Sequence, residues 1–163
     1  MIIIVMGVAG SGKTTLGRLL ADRLGWHFYD ADDFHSAANH AKMANGIPLT
    51  DADRVDWLTA LRDLLLQQVK RKQSAVLACS ALKESYRQVL LVSTEIRLVY
   101  LKGTHAQIEE RISRRKDHYM TVAMLDSQFK ILEEPLHALV VDITMEPSVI
   151  TNTICKGLNL PTE

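Results

Sequence analysis

A glycine loop, Gly7-Val8-Ala9-Gly10-Ser11-Gly12-Lys13-Thr14, follows directly on the apolar run Ile2-Ile3-Ile4-Val5-Met6. The loop fits the phosphate-binding pattern G-x-x-x-x-G-K-[ST] at every fixed position, and its flanks fit as well. A short run rich in β-branched residues reads as a buried strand. Beyond the loop, Thr14 to Leu24 carries Leu16, Leu19, Leu20 and Leu24 at helical spacing. Strand, loop and helix together form an anion site. Glycines let successive N–H groups turn inward, and the helix N-terminus adds partial positive charge. Gly7, Gly10, Ser11, Gly12, Lys13, Thr14 and Thr15 are therefore the residues expected around a nucleotide. Lys13 is expected to reach its β- and γ-phosphates, and the Thr14 hydroxyl to take a position on Mg²⁺.

Size and charge narrow the rest. A chain of 163 residues makes one domain with a full core. Its 19 basic and 19 acidic residues cancel, so no global field favours nucleic acid or a membrane surface. Cys79 and Cys155 belong to no C-x-x-C pair, which argues for reduced structural thiols. No stretch approaches the roughly 18 apolar residues of a membrane span. The first apolar run is also too short, and lacks the basic lead, for a signal peptide. A soluble, cytoplasmic protein is expected.

Apolar runs alternate with amphipathic stretches. Strands are expected at Ile2–Met6, His27–Tyr29, Ala75–Cys79, Ile96–Leu101 and Ala138–Ile143. Helices are expected at Thr14–Leu24, Asp51–Lys72, Lys83–Val92, Ala106–Arg115, Val122–Leu132 and Ser148–Leu158. Such alternation predicts a parallel sheet covered by helices on both faces, with ligands beyond the carboxyl ends of the strands.

Three later segments follow strand ends. Asp30-Ala31-Asp32-Asp33-Phe34-His35 crowds three carboxylates, which repel unless a cation or donors compensate. One of them can take a proton from an attacking hydroxyl, or the segment is a helix start with acids in its first turn. Next, Arg54 opens a helix against the dipole, held by an anionic partner or by Asp51 or Asp53. In Cys79-Ser80-Ala81-Leu82-Lys83, with Tyr86 and Arg87, the i, i+4 spacing puts Lys83 and Arg87 on one helical face. They would grip a carboxylate, or form a solvated basic face. Last, Arg111 to Met120 holds Arg111, Arg114, Arg115 and Lys116. It suits a basic lid over a nucleotide, or a solvated helix end. Asp142 reads as an ordinary strand-end acid.

Taken in order, these strings resemble the gluconate kinase family, small relatives of shikimate and adenylate kinases. The resemblance runs from Ile2 to about Ile154. It rests on D-A-D-D-F-H with Asn39, K-M-A-N-G-I-P-L-T-D-A-D-R with Trp57, C-S-A-L-K with Tyr86 and Arg87, and R-K-D-H-Y before Gln128 and Phe129. It implies a three-layer αβα P-loop kinase fold, with a five-stranded parallel sheet and a mobile lid at about 111–122. It further implies ATP-dependent, Mg²⁺-dependent phosphorylation of the 6-hydroxyl of D-gluconate, feeding the pentose phosphate pathway, by a homodimer. Lys13, Asp32 and Arg115 would be catalytic, with Asp32 orienting or deprotonating the hydroxyl. Asp30 would sit with Thr14 near the metal, and His35 and Arg54 near the sugar. Lys83 and Arg87 would lie near the carboxylate or phosphate, and Arg111 and Arg115 on the nucleotide side of the lid. Two residues depart from the family pattern. Ser36 replaces a common proline and is expected to loosen a helix start; Asp117 replaces a glycine and is expected to weaken the lid's pull on phosphate.

Two other functions fit parts of the sequence. The same fold can phosphorylate shikimate or a nucleoside monophosphate. A nucleotide-dependent switch or binding module would share the loop, but the chain lacks an N-K-x-D string and an obvious acid-tipped strand of the hydrolytic ATPases.

Overall fold

The structure, a computed structural model, describes residues 1–115 and 121–162. Its first strand, β1 (Ile2–Met6), is buried at every position. The chain continues through α1 (Lys13–Leu24), β2 (His27–Asp30), a 3₁₀ turn (Ala31–Phe34), α2 (Ala37–Ala44) and α3 (Asp51–Lys70). It then runs through β3 (Ala75–Ala78), α4 (Glu84–Leu90), β4 (Ile96–Lys102) and α5 (His105–Ser113). The described residues after 120 form α6 (Val122–Ile131), β5 (Leu139–Asp142) and α7 (Pro147–Gly157).

All five strands are parallel, in the order β2-β3-β1-β4-β5. Successive side chains of β1 point to opposite faces, and each face has its own core. Ile3 and Val5 join Leu16 and Leu20 of α1, Ile108 of α5, Leu125 of α6, and Ile150 and Ile154 of α7. Ile2, Ile4 and Met6 join Trp57, Leu61 and Leu65 of α3 and Leu90 of α4. This is the expected helix–sheet–helix sandwich. Because β1 pairs with β3 on one side and β4 on the other, the strand order reverses beside it. A crevice opens at that reversal, beyond the carboxyl ends of the strands.

Two expectations fail locally. Ser36 does not loosen a helix: it is the N-cap of α2, its side chain accepting from Asn39 N at 3.1 Å. Lys83 is not a helical residue either. It is the extended N-cap of α4, which begins at Glu84, so the i, i+4 relation to Arg87 carries no shared face. Thr50 caps α3 through a capping box with Asp53. Both cysteines are free and buried. Among the described residues no helix is long and apolar enough to cross a membrane.

Candidate active site

The phosphate loop leaves β1 and turns into α1 through two left-handed glycines, Gly10 (φ +80°) and Gly12 (φ +97°). A side chain at Gly10 would also collide with Ile112, whose Cγ1 lies 2.8 Å from an ideal Cβ. Gly12 is the N-cap of α1 and offers it no side-chain acceptor, so first-turn N–H groups are left for an anion. Gly10, Gly12, Lys13, Thr14 and Thr15 all line one cavity of about 400 Å³. Gly7 and Ser11 instead shape the loop from beneath. Ser11 Oγ is buried without a hydrogen-bond partner, and a Cβ on Gly7 would come within 2.7 Å of it. Lys13 Nζ donates to Val8 O at 2.9 Å. Burial pulls its pKa below the usual lysine value, and the negative charges of Asp32 and Asp30 oppose that shift.

Asp30 ends β2 and serves two purposes. Its Oδ1 accepts from Asp32 N at 3.0 Å, capping the 3₁₀ turn, while its Oδ2 accepts from Thr14 Oγ1 at 2.7 Å. The helix-start reading of the acidic segment thus holds for Asp30, whose second oxygen faces the phosphate loop. Asp32 lines the cavity. Desolvation by the cavity wall, then the neighbouring Asp30, raises its pKa above the ordinary aspartate value, and Lys13 limits the rise. Asp33 is exposed and does not line the cavity.

The far end of the cavity comes from α2, α3 and the segment after β3. His35 stacks on Trp57, ring centroids 4.5 Å apart and planes 10° from parallel. Trp57 Nε1 donates to Ala31 O at 2.7 Å, pinning α3 beneath the acidic turn. Trp57 is therefore core and cavity wall at once, although its spacing suggests core alone. Arg54 is held by neither Asp51 nor Asp53. Its Nη1 donates to Leu49 O at 2.7 Å and to Tyr86 Oη at 3.2 Å. Lys83 Nζ donates to both oxygens of Asp51 at 2.9 Å, and the Tyr86 hydroxyl donates to the same carboxylate.

Arg87 requires a correction. Its side chain is 2% exposed and does not line the cavity. Nη1 donates to Ala81 O and Leu82 O at 2.8 and 3.0 Å, while Nε and Nη2 donate to Glu84 Oε2. The guanidinium thus ties down the loop that presents Lys83. The two lid arginines also part company. Arg115 lines the cavity, whereas Arg111 Nη2 donates to Ile143 O beyond β5, with Nη1 near Gly12. Lys116 to Met120, with the Asp117 departure, lie outside the described residues. Sequence reasoning also left Gln128 without a role. Its Oε1 accepts from Ala9 N at 2.7 Å, joining α6 to the phosphate loop across 119 residues.

Comparison with known proteins gives the family. The shikimate kinase family model matches residues 9–145. A probable gluconokinase of Mus musculus is 47% identical over 152 residues, covering 82% of this chain and 83% of that protein. The gluconokinase of Gluconobacter oxydans (strain 621H) is 47% identical over 134 residues, with coverages of 82% and 75%. The crystal structure of a gluconokinase from Sinorhizobium meliloti 1021 superposes with a TM-score of 0.87 at 36% identity, covering 96% of this chain and 90% of that one. The chain belongs to the gluconokinase family. It is an enzyme of the kinase class, for which ATP use follows from its kinase relatives.

Two outcomes are expected. Arg87→Met leaves the carbonyls of Ala81 and Leu82 without their donor, and should lower unfolding stability in urea by about 2–4 kcal/mol. A loss below about 0.5 kcal/mol, within the range of ordinary surface substitutions, would contradict the anchoring role. His35 carries a pKa lowered from 6.5 to about 4, by burial first and then by His40 and Arg54. The unfolded chain therefore binds more protons at this site between those values, so its contribution is present above pH 6.5 and lost as pH falls towards 4. Unfolding stability followed across that window should show a shallower slope for His35→Gln than for the wild type.

Proposed function

We propose that the chain transfers the γ-phosphoryl group of ATP to the 6-hydroxyl of D-gluconate, giving 6-phospho-D-gluconate and ADP. The observation that carries this reading is a single cavity whose lining joins Lys13 and Thr14 of the phosphate loop to Asp32, Arg54 and Lys83. A sugar acid presents a hydroxyl to be activated and a carboxylate to be held, and this lining offers an acid for the first and cations for the second. The names of the related proteins support the same substrate. A homodimer, implied by the family resemblance, and a cytoplasmic location, expected from the composition, belong to this reading.

The residues fit a Mg²⁺ ion. Thr14 Oγ1 and Asp30 Oδ2 are adjacent hard oxygen donors. Among the described residues no three His, Cys, Asp or Glu side chains converge, as suits an ion held largely by phosphate and water. Bound there, Mg²⁺ would neutralise charge on the transferring group. Lys13 and the loop N–H groups bind and orient the phosphates, and Arg115 adds positive charge from the lid side. Asp32, whose raised pKa makes it the stronger proton acceptor, aligns the hydroxyl and takes its proton. Arg54 and Lys83 hold the carboxylate at the other end.

The test is coupled detection of ADP release with Mg·ATP and a panel of acceptors that includes shikimate, the acceptor for which the matching family model is named. Gluconate-dependent turnover is expected; faster turnover of shikimate, or release independent of acceptor, would overturn the reading. Lys13→Ala should abolish turnover. Asp32→Asn should preserve ATP binding and cut kcat by ~10² or more. A modest loss would reduce Asp32 to a positioning role, since a loose transition state needs little base assistance. The acid limb of the wild-type pH profile should lie above 3.8, the ordinary aspartate value.

A further inference from the structure

The cations at the acceptor end already hold acceptors that the protein supplies. Lys83 gives two hydrogen bonds to Asp51, and Tyr86 gives that carboxylate a third. Arg54 reaches the same cluster through the Tyr86 hydroxyl. Its guanidinium carbon and Lys83 Nζ lie 5.5 and 5.7 Å from the centroid of the Tyr86 ring. Asp51, Arg54 and Lys83 all line the cavity. Asp51 is not needed to start α3, because Thr50 and Asp53 complete that helix's capping box by themselves. Nor is it locked into the core: its side chain is 65% exposed. A carboxylate so placed can be turned out to solvent without disturbing either hydrophobic cluster.

We infer that Asp51 is a residue that sets acceptor affinity, competing with the carboxylate of the acceptor for Lys83 and the Tyr86 hydroxyl. This rests on the substrate reading above and adds the reason why the acid and its phosphorylated product are held loosely enough to exchange. A neutral polyol brings nothing to replace Asp51 at Lys83, whereas a sugar acid brings an equivalent carboxylate. Charge counting agrees. Arg54, Lys83 and Asp51 sum to one positive charge, which a single carboxylate neutralises. Removing the charge of Asp51 leaves two positive charges, so the substrate and its phosphorylated product should both be held more tightly. For a partly exposed site screened by salt, the effect should be roughly three- to tenfold.

The experiment compares wild type, Asp51→Asn, Lys83→Met and the double variant. It reads KM for D-gluconate, KM for ATP, kcat and inhibition by 6-phospho-D-gluconate, with gluconate binding measured separately by calorimetry without nucleotide. Asp51→Asn should lower KM for gluconate roughly three- to tenfold and strengthen product inhibition by a similar factor, leaving KM for ATP unchanged. In the Lys83→Met background that gain should shrink to less than about twofold, because the two residues act on each other. An unchanged or raised KM in Asp51→Asn would overturn the inference, and so would an undiminished gain without Lys83. Failure of the wild type to phosphorylate gluconate overturns the substrate reading instead, so the two failures are distinct.

Discussion

Burial of β1 on both faces is the constraint from which the rest of the structure follows. With β3 and β4 hydrogen-bonded to its sides and helices over both faces, the strand has no freedom to shift its carboxyl end. The phosphate loop must therefore start at a fixed point beside the strand-order reversal. The return helix is fixed just as firmly. A Cβ on Gly17 would lie 2.7 Å from Phe28 Cε2, so α1 approaches the sheet closely at that glycine. Lys13, at the start of α1, inherits its position from apolar packing on both sides of the loop. Preorganisation of this kind is what electrostatic stabilisation of phosphoryl transfer requires.

The acceptor end is built differently. Trp57 is anchored there to Ala31 O, Asn39 Nδ2 donates to Asp53 O at 2.7 Å, and Lys42 pairs with Asp53 at 2.8 Å. Arg87 secures the Lys83 loop through two backbone carbonyls. Directional polar bonds thus add to the packing of Trp57 and Tyr86 in positioning the groups available to a substrate. Those made by the cavity-lining Arg54 and Lys83 can be exchanged for bonds to a ligand at small net cost. The division is physically sensible. Rigid apolar support suits the phosphates, which are common to every reaction of the fold, and exchangeable polar support suits the part that distinguishes one acceptor from another.

What the sequence reveals follows this division. The strand–loop–helix unit is local, with spacing and loop pattern contained in 24 residues, and the structure reproduces it from Ile2 to Leu24. Lys83 and Arg87 show where periodicity misleads. The i, i+4 rule presumes that both residues lie in the helix, whereas Lys83 is the extended N-cap of α4 and shares no face with Arg87. At Ser36 the departure from the family pattern costs nothing, since a serine caps a helix as readily as proline starts one. Gln128 and the Asp51–Tyr86 pair lay beyond local reasoning. Their bonds span 119 and 35 residues, and neither residue type signals a distant partner by itself.

The phosphate end and the chemistry at the hydroxyl are also coupled through charge. Lys13 is half-buried, and its ammonium is supported by Asp32 and Asp30 as well as by Val8 O. Asp32 gains in turn from Lys13, which restrains a pKa that desolvation and Asp30 push upward. On the proposed reading, the phosphates of ATP become the counter-charge of Lys13 and bring further negative charge close to Asp32. A Mg²⁺ ion held at Thr14 and Asp30 would arrive with them and set positive charge beside the same carboxylate. Lys13, Asp30 and Asp32 thus form one charge-coupled group, in which binding the phosphoryl donor and orienting the hydroxyl are not independent events.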